Sequence, residues 1–186
     1  MPRVWQQEVR VSAKRRDGGK KDFGGSETIE SSTIRGQGWP CLHQFAVFME
    51  NRVGRLHDLL RNFEGPEIRV VALSIANSVD CAFVRLIVSD TDRGREILQL
   101  SKFAFSESDL VGVELPDGTQ PFVQICIALL QAELNVHYTY PLLYRRRGRG
   151  AIAMYVDDID LALKTLEEKG LRVVTEDDLR EDDESF

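Results

Sequence analysis

The chain has 186 residues, 42% hydrophobic and 29% charged, with 24 Lys and Arg against 30 Asp and Glu for a formal net charge of −6. That length suits one ordinary domain or two small ones, and the apolar share excludes a wholly disordered chain. The charge is unevenly placed: residues 1–38 carry +3, residues 176–186 carry −6 and the stretch between them −3, so the acidic sum argues only weakly against a nucleic-acid partner.

Residues 1–38 are rich in Gly, Ser, Lys and Arg and hold too little apolar surface to fold, so they read as a disordered basic arm. Its cluster Lys14, Arg15, Arg16, Lys20 and Lys21 is either solvated or a contact for nucleic acid or an acidic partner. Order begins at Trp39. Residues 42–50 (LHQFAVFME) predict a strand, followed by a turn at Asn51, Arg52, Val53 and Gly54. Leu56, Leu59, Leu60 and Phe63 form one stripe of an amphipathic helix, stopped by Gly65 and Pro66. Residues 69–76 and 82–88 predict a hairpin of two β-branched strands around residues 77–80. Ser89, Asp90 and Thr91 offer caps for a helix over 92–101, and a short strand follows at 104–107.

The order βαββαβ then repeats. A strand at 109–115 leads through a loop at 116–120 to Pro121, placed to open a helix that runs to Ala132. Strands at 135–144 and 150–156 flank a hairpin rich in Arg, at Arg145, Arg146, Arg147 and Arg149. Asp157 and Asp158 cap a helix whose stripe is Ile159, Ala162, Leu163 and Leu166, Gly170 ends it, and a last strand lies at 171–175. The repeat is also literal: Leu56, Leu59 and Phe63 recur as Phe122, Ile125 and Leu129, and SESDL at 106–110 recurs as TEDDL at 175–179. The predicted fold is therefore α+β: two tandem ferredoxin-like units with antiparallel sheets and helices on one face. The units span 39–108 and 109–175, join without a linker as one rigid body, and leave 176–186 as an acidic tail.

The string from Phe48 to Leu56 (FMENRVGRL), opening a helix inside such a unit, resembles the ACT domain, a small regulatory domain that binds amino acids. Glu50, Asn51, Gly54 and Leu56 fit the family's pattern. Val53 stands where Pro is usual, and Met49 where some amino-acid-binding members have His. The likeness extends from near Cys41 to Thr175. It implies a small amino acid between the loop Asn51, Arg52, Val53, Gly54, Arg55, Leu56 and the second strand of a partner unit, near Ser74 and Asn77. In the second unit the corresponding loop is Asp117, Gly118 and Thr119, followed by Gln120 and Pro121 where a Pro-Gly or Gly-Gly pair would be expected. The residues themselves agree with the first loop: a Gly allows close backbone approach, a helix start suits a carboxylate, and the Asn51 amide can both donate and accept.

Other chemistry is sparse. Cys41, Cys81 and Cys126, and His43, His57 and His137, lie apart with no ligand spacing, so neither a metal site, a disulfide framework nor a cofactor is expected. No nucleophile triad, GxGxxG or phosphate loop is visible, and neither third strand carries the RNA-binding pattern that the βαββαβ order would allow. The Arg hairpin is either a phosphate contact or a solubilising tip, and it lacks aromatic neighbours for stacking bases. Tyr138, Tyr140 and Tyr144 share a strand face with Leu142 and read as core or as a sheet contact. The helix from Phe122 to Leu130 is apolar on nearly all sides, which predicts burial against the first unit or against a second chain as a homodimer.

With no apolar span and no leader, the chain is expected in the cytoplasm and off membranes. The functional expectation is a non-catalytic regulatory protein that senses an amino acid and relays it to a partner. The alternatives are the regulatory small subunit of an amino-acid biosynthetic enzyme, of the acetohydroxyacid synthase kind, or a scaffold that has lost its ligand.

Overall fold

The computed structural model describes residues 40–65, 67–146 and 148–180. The basic arm at 1–38, Arg147 of the Arg hairpin and residues 181–186 lie outside them.

The first unit is β1 (Leu42–Glu50), α1 (Arg55–Leu60) with a 3₁₀ turn (Arg61–Phe63), β2 (Val70–Asn77), β3 (Cys81–Val88), α2 (Thr91–Leu100) and the start of β4 (Ala104–Glu114). The second runs from the end of β4 through α3 (Pro121–Gln131), β5 (Val136–Arg146), β6 (Arg149–Val156), α4 (Ile159–Glu168) and β7 (Val173–Val174) to α5 (Glu176–Arg180). The two predicted strands at 104–107 and 109–115 are thus one strand of 11 residues. Its first part, Ala104 to Leu110, pairs with β1, and its last, Val111 to Glu114, pairs with β6. Ser108 between them interrupts neither the pleat nor the pairing, since it lies opposite Gln44.

Every strand pairing among the described residues is antiparallel. The strand order is β2-β3-β1-β4-β6-β5, with β7 also on β4. Within this path the first unit reads second–third–first–fourth strand, and the second unit repeats that order as β5-β6-β4-β7. The sheet folds over along β4 and brings its end strands, β2 and β5, against each other.

The helix starts follow the sequence chemistry. Asp90 accepts from Arg93 N at 3.0 Å to cap α2, and Asp158 accepts from Leu161 N at 3.0 Å to cap α4. Pro121 opens α3, and Gly170 after α4 has φ 68. Gly94 inside α2 has a packing reason: a Cβ there would stand 2.7 Å from Val88 and 3.0 Å from Phe45.

Three apolar clusters result. Phe45, Val47, Val84, Leu86, Leu59, Phe63 and Leu98 fill the space between the first sheet half and its helices. Val111, Val113, Met154, Ile125, Leu129, Ala162 and Leu166 do the same in the second unit. Between the two sheet halves lies a third, with Leu42, Ile87, Leu110, Tyr140, Leu142, Tyr144, Ala153, Val174 and Leu179. The tyrosine row is therefore core: Tyr140 and Tyr144 are buried, and Tyr138 is covered by the Arg85 guanidinium, 4.2 Å from its ring centre.

One polar group crosses this core. Gln44 is buried, accepts from Tyr140 OH at 2.7 Å, and donates to Ser108 at 2.9 Å and to the Tyr138 hydroxyl at 3.0 Å. Burial pushes the Tyr140 phenol well above its ordinary pKa, so it stays a donor.

One expectation is modified and one alternative falls away. The acidic segment after Thr175 begins as α5, held by Leu179, which is buried in the inter-sheet core, and by Arg69, which donates to the Leu179 carbonyl at 3.1 Å. Helix α3 buries Ile125, Ala128 and Leu129 in the core of its own unit and leaves Phe122, Val123, Ile127 and Leu130 exposed, rather than burying them on the first unit. No helix among the described residues is long and apolar enough to cross a membrane.

Two substitutions test this architecture by urea denaturation. Leu179→Ala should cost about 2–5 kcal/mol, as for any buried leucine, whereas an unfolded tail would give no change. Tyr140→Phe leaves the Gln44 carbonyl oxygen buried without its donor and should cost about 1–3 kcal/mol.

Candidate functional site

The loop after β1 is fixed from within its own unit. Asn51 N donates to the Asp80 carbonyl at 3.0 Å, and the Asn51 side-chain amide donates to the carbonyls of Ser78 at 3.2 Å and Val79 at 3.4 Å. Asn51 thereby clips the loop to the β2–β3 hairpin and spends both N–H functions of its side chain, leaving Oδ1 to accept. Gly54 then takes φ 93, a left-handed turn with nothing within 4 Å of where a Cβ would stand. Its carbonyl accepts from Asp58 N at 2.9 Å, which starts α1.

The other loop residues diverge. Val53 is fully exposed, and Arg52 turns back to Glu50 at 3.2 Å. Arg55 lies over the Phe103 ring, its Cζ 5.3 Å from the centre, and reaches Asp58 at 3.5 Å. Leu56 packs on the core of the first unit. Asn77 lies at the same corner, because the carbonyl of the next residue holds the Asn51 amide. Ser74 does not. It is three residues from Asn77 along a strand and so faces the opposite side, paired with Arg85, the residue that covers Tyr138. Of the residues the sequence grouped, the fold joins the loop with Asn77 and sets Ser74 apart.

The second loop is closed differently. Asp117 is bound by the Arg149 guanidinium, which also reaches Glu114 at 3.4 Å. Glu114 is buried and takes a second cation, Arg172, at 3.1 Å. Arg149 thus serves as an internal counter-ion that pins the second loop from the hairpin side, whereas Asn51 pins the first from the loop side with neutral hydrogen bonds. Gly118 has φ 141 with open space around it. No polar partner of Thr119 is seen among the described residues.

A second constellation was not legible as a motif. His43 on β1 lies between two carboxylates: Nδ1 is 2.6 Å from Glu176 Oε1, and Nε2 is 3.3 Å from Asp109 Oδ1. Thr91 at the start of α2 donates to the same Glu176 oxygen at 2.5 Å. Cys41 completes the cluster, with one ligand atom from each of Cys41, His43 and Asp109 within 4.8 Å of one another. The hydrogen bond to Glu176 raises the His43 pKa against the lowering effect of burial, and the charges of Glu176, Asp109 and Glu107 add to the rise. Burial pushes the Glu176 carboxyl up, but hydrogen bonds from His43 and Thr91 more than reverse this and hold it below its ordinary value. The only trace in the sequence is Cys41-x-His43 at strand spacing. Asp109 and Glu176 come from distant positions.

A family profile described as an ACT domain pair matches residues 41–182. The chain is similar to the crystal structure of protein BT0572 from Bacteroides thetaiotaomicron, with TM-score 0.69 and 25% identity over 76% of this chain and 96% of that one. It is also similar to a structure of an unknown protein from Galdieria sulphuraria, at TM-score 0.34 and 17% identity over 72% and 95% of the two chains. A third likeness is to the regulatory subunit of aspartate kinase from Thermus thermophilus, at TM-score 0.47 and 11% identity over 69% and 91%. No curated protein sequence matches the chain. The family profile spans both repeats and α5, and the chain therefore belongs to the ACT domain pair family.

Proposed function

We propose that the chain is a regulatory protein without catalytic activity, which binds a small amino acid at an interface between ACT units and relays its presence to a partner. One observation carries this reading: in a paired ACT chain, the loop 51–56 is held rigid by its own hairpin and opens on a left-handed glycine whose surroundings are empty. A preformed loop of this kind offers backbone N–H groups and the Asn51 carbonyl oxygen without an ordering cost, which suits a ligand carrying one carboxylate and one ammonium. Asn77 lines the same corner. The second loop is the weaker candidate, because Arg149 already neutralises Asp117 there.

The closing surface comes from a second copy of the chain. Strand β2 ends the sheet and exposes Leu73 and Ile75, and α3 exposes Val123, Ile127 and Leu130 at helical spacing on one face. Relay follows if the ligand binds one arrangement of the two copies more tightly than another, since only differential affinity shifts such an equilibrium.

Titration calorimetry with the twenty amino acids, on the chain freed of tags, should give heat with one or a few of them. Gly54→Val should keep the fold and lose that heat, while no heat from any of the twenty overturns the reading. Light scattering at micromolar concentration should give the mass of a dimer, and Ile127→Glu the mass of a monomer.

A further inference from the structure

Strand register builds a ligand set that chain spacing hides. Cys41 directly precedes β1, His43 is the second residue of that strand, and Asp109 is the direct partner of His43 on β4. Their ligand atoms lie within 4.8 Å of one another, and the His43 Nε2 to Asp109 Oδ1 distance is 3.3 Å. A tetrahedral ion with bonds of about 2.0–2.3 Å holds its ligand atoms about 3.3–3.8 Å apart. The pair is therefore already at the separation a shared metal would impose. We propose that Cys41, His43 and Asp109 bind one zinc ion at the seam between β1 and β4, with water as the fourth ligand.

Three features favour an ion over a simple salt bridge. Asp109 Oδ1 is buried and accepts no hydrogen bond among the described residues, although His43 Nε2 is within reach. A buried carboxylate oxygen left in that state is costly, and a cation between the two atoms would satisfy both. Second, His43 Nδ1 faces Glu176, itself fixed by Thr91, which is the outer-shell carboxylate that orients a metal-binding imidazole and leaves its other nitrogen to the ion. Third, Cys41 is almost fully buried, 1% exposed, and its Sγ lies within 4.8 Å of the ligand atoms of both groups. A thiolate, an imidazole and a carboxylate together select zinc over calcium or magnesium. The His43 and Asp109 side chains keep 20% and 15% exposure, so solvent reaches the edge of the cluster, from which a water would supply the fourth ligand. The ion would tie β1, β4, α2 and α5 at one point, apart from the loop 51–56.

The test uses the full chain without an affinity tag, reduced and stripped of metal. Residues 1–39 contain no Cys or His and add no competing ligand of those kinds. One equivalent of Co²⁺ should produce a thiolate-to-metal charge-transfer band in the near ultraviolet, one equivalent of Zn²⁺ should remove it, and Zn²⁺ should raise the melting temperature. Cys41→Ala should abolish the band while Cys81→Ser keeps it. Glu176→Gln should weaken Zn²⁺ by about 10–100-fold. A folded chain that takes up neither ion at micromolar concentration overturns the site, and so does a band that survives Cys41→Ala. Should Cys41→Ala fail to fold, Asp109→Asn decides: at least a tenfold loss of Zn²⁺ affinity supports the site and an unchanged affinity overturns it.

Discussion

The structure depends on one strand serving two sheets. Strand β4 is the fourth strand of the first unit through Ala104 to Leu110 and the first strand of the second through Val111 to Glu114. With no linker between the repeats, neither unit can turn independently of the other. Folding over along β4 puts two apolar sheet faces against each other, and the helices are left to cover the outer faces. Gly112 lies where this closure is tightest: a Cβ there would stand 2.7 Å from Leu42 and 2.8 Å from the Val174 carbonyl oxygen. The backbone must be bare at that point for β1, β4 and β7 to meet.

Apolar burial alone leaves the relative slide of two sheets loosely specified, since many offsets bury similar area. The Gln44 amide narrows that choice. Its oxygen is matched by the Tyr140 hydroxyl, and its nitrogen by Ser108 and the Tyr138 hydroxyl. Other offsets would strand these buried dipoles at a cost of about 1–3 kcal/mol each. The stacked Tyr138 and Tyr155 rings and the Arg85 guanidinium over Tyr138 extend the same contact towards solvent. The tyrosines of β5 are thus the surface against which the first unit is positioned.

Charge is used locally rather than in sum. The Arg hairpin contributes Arg149 to Asp117 and Glu114, and the acidic end contributes Glu176 to His43 and Asp178 to Arg172. Both segments stand out in the sequence as unbalanced runs, and in the fold each neutralises a partner from far along the chain. Glu114 and Asp178 are shielded from water while Asp117 is exposed, and together these contacts position loops and the last helix. The formal charge of −6 describes none of these contacts.

Sequence alone determined the features that rest on short-range chemistry. Hydrophobic periodicity located the helices and strands, Asp90, Asp158 and Pro121 marked helix starts, and the literal recurrence of Leu56, Leu59 and Phe63 as Phe122, Ile125 and Leu129 established the repeat. The loop 51–56 was readable because its residues are neighbours in the chain. Tertiary structure decided what depends on register and on faces. That β4 is one strand could not be read, because alternation around Ser108 carries no break signal in either direction. Ser74 and Asn77 looked like neighbours, but a strand sends residues three apart to opposite sides. Helix α5 read only as an acidic tail, because one buried leucine among acids has no periodicity to display. The cluster of Cys41, His43, Asp109 and Glu176 was invisible for the same reason, since only pairing of β1 with β4 and docking of α5 bring residues so far apart in the chain to one point.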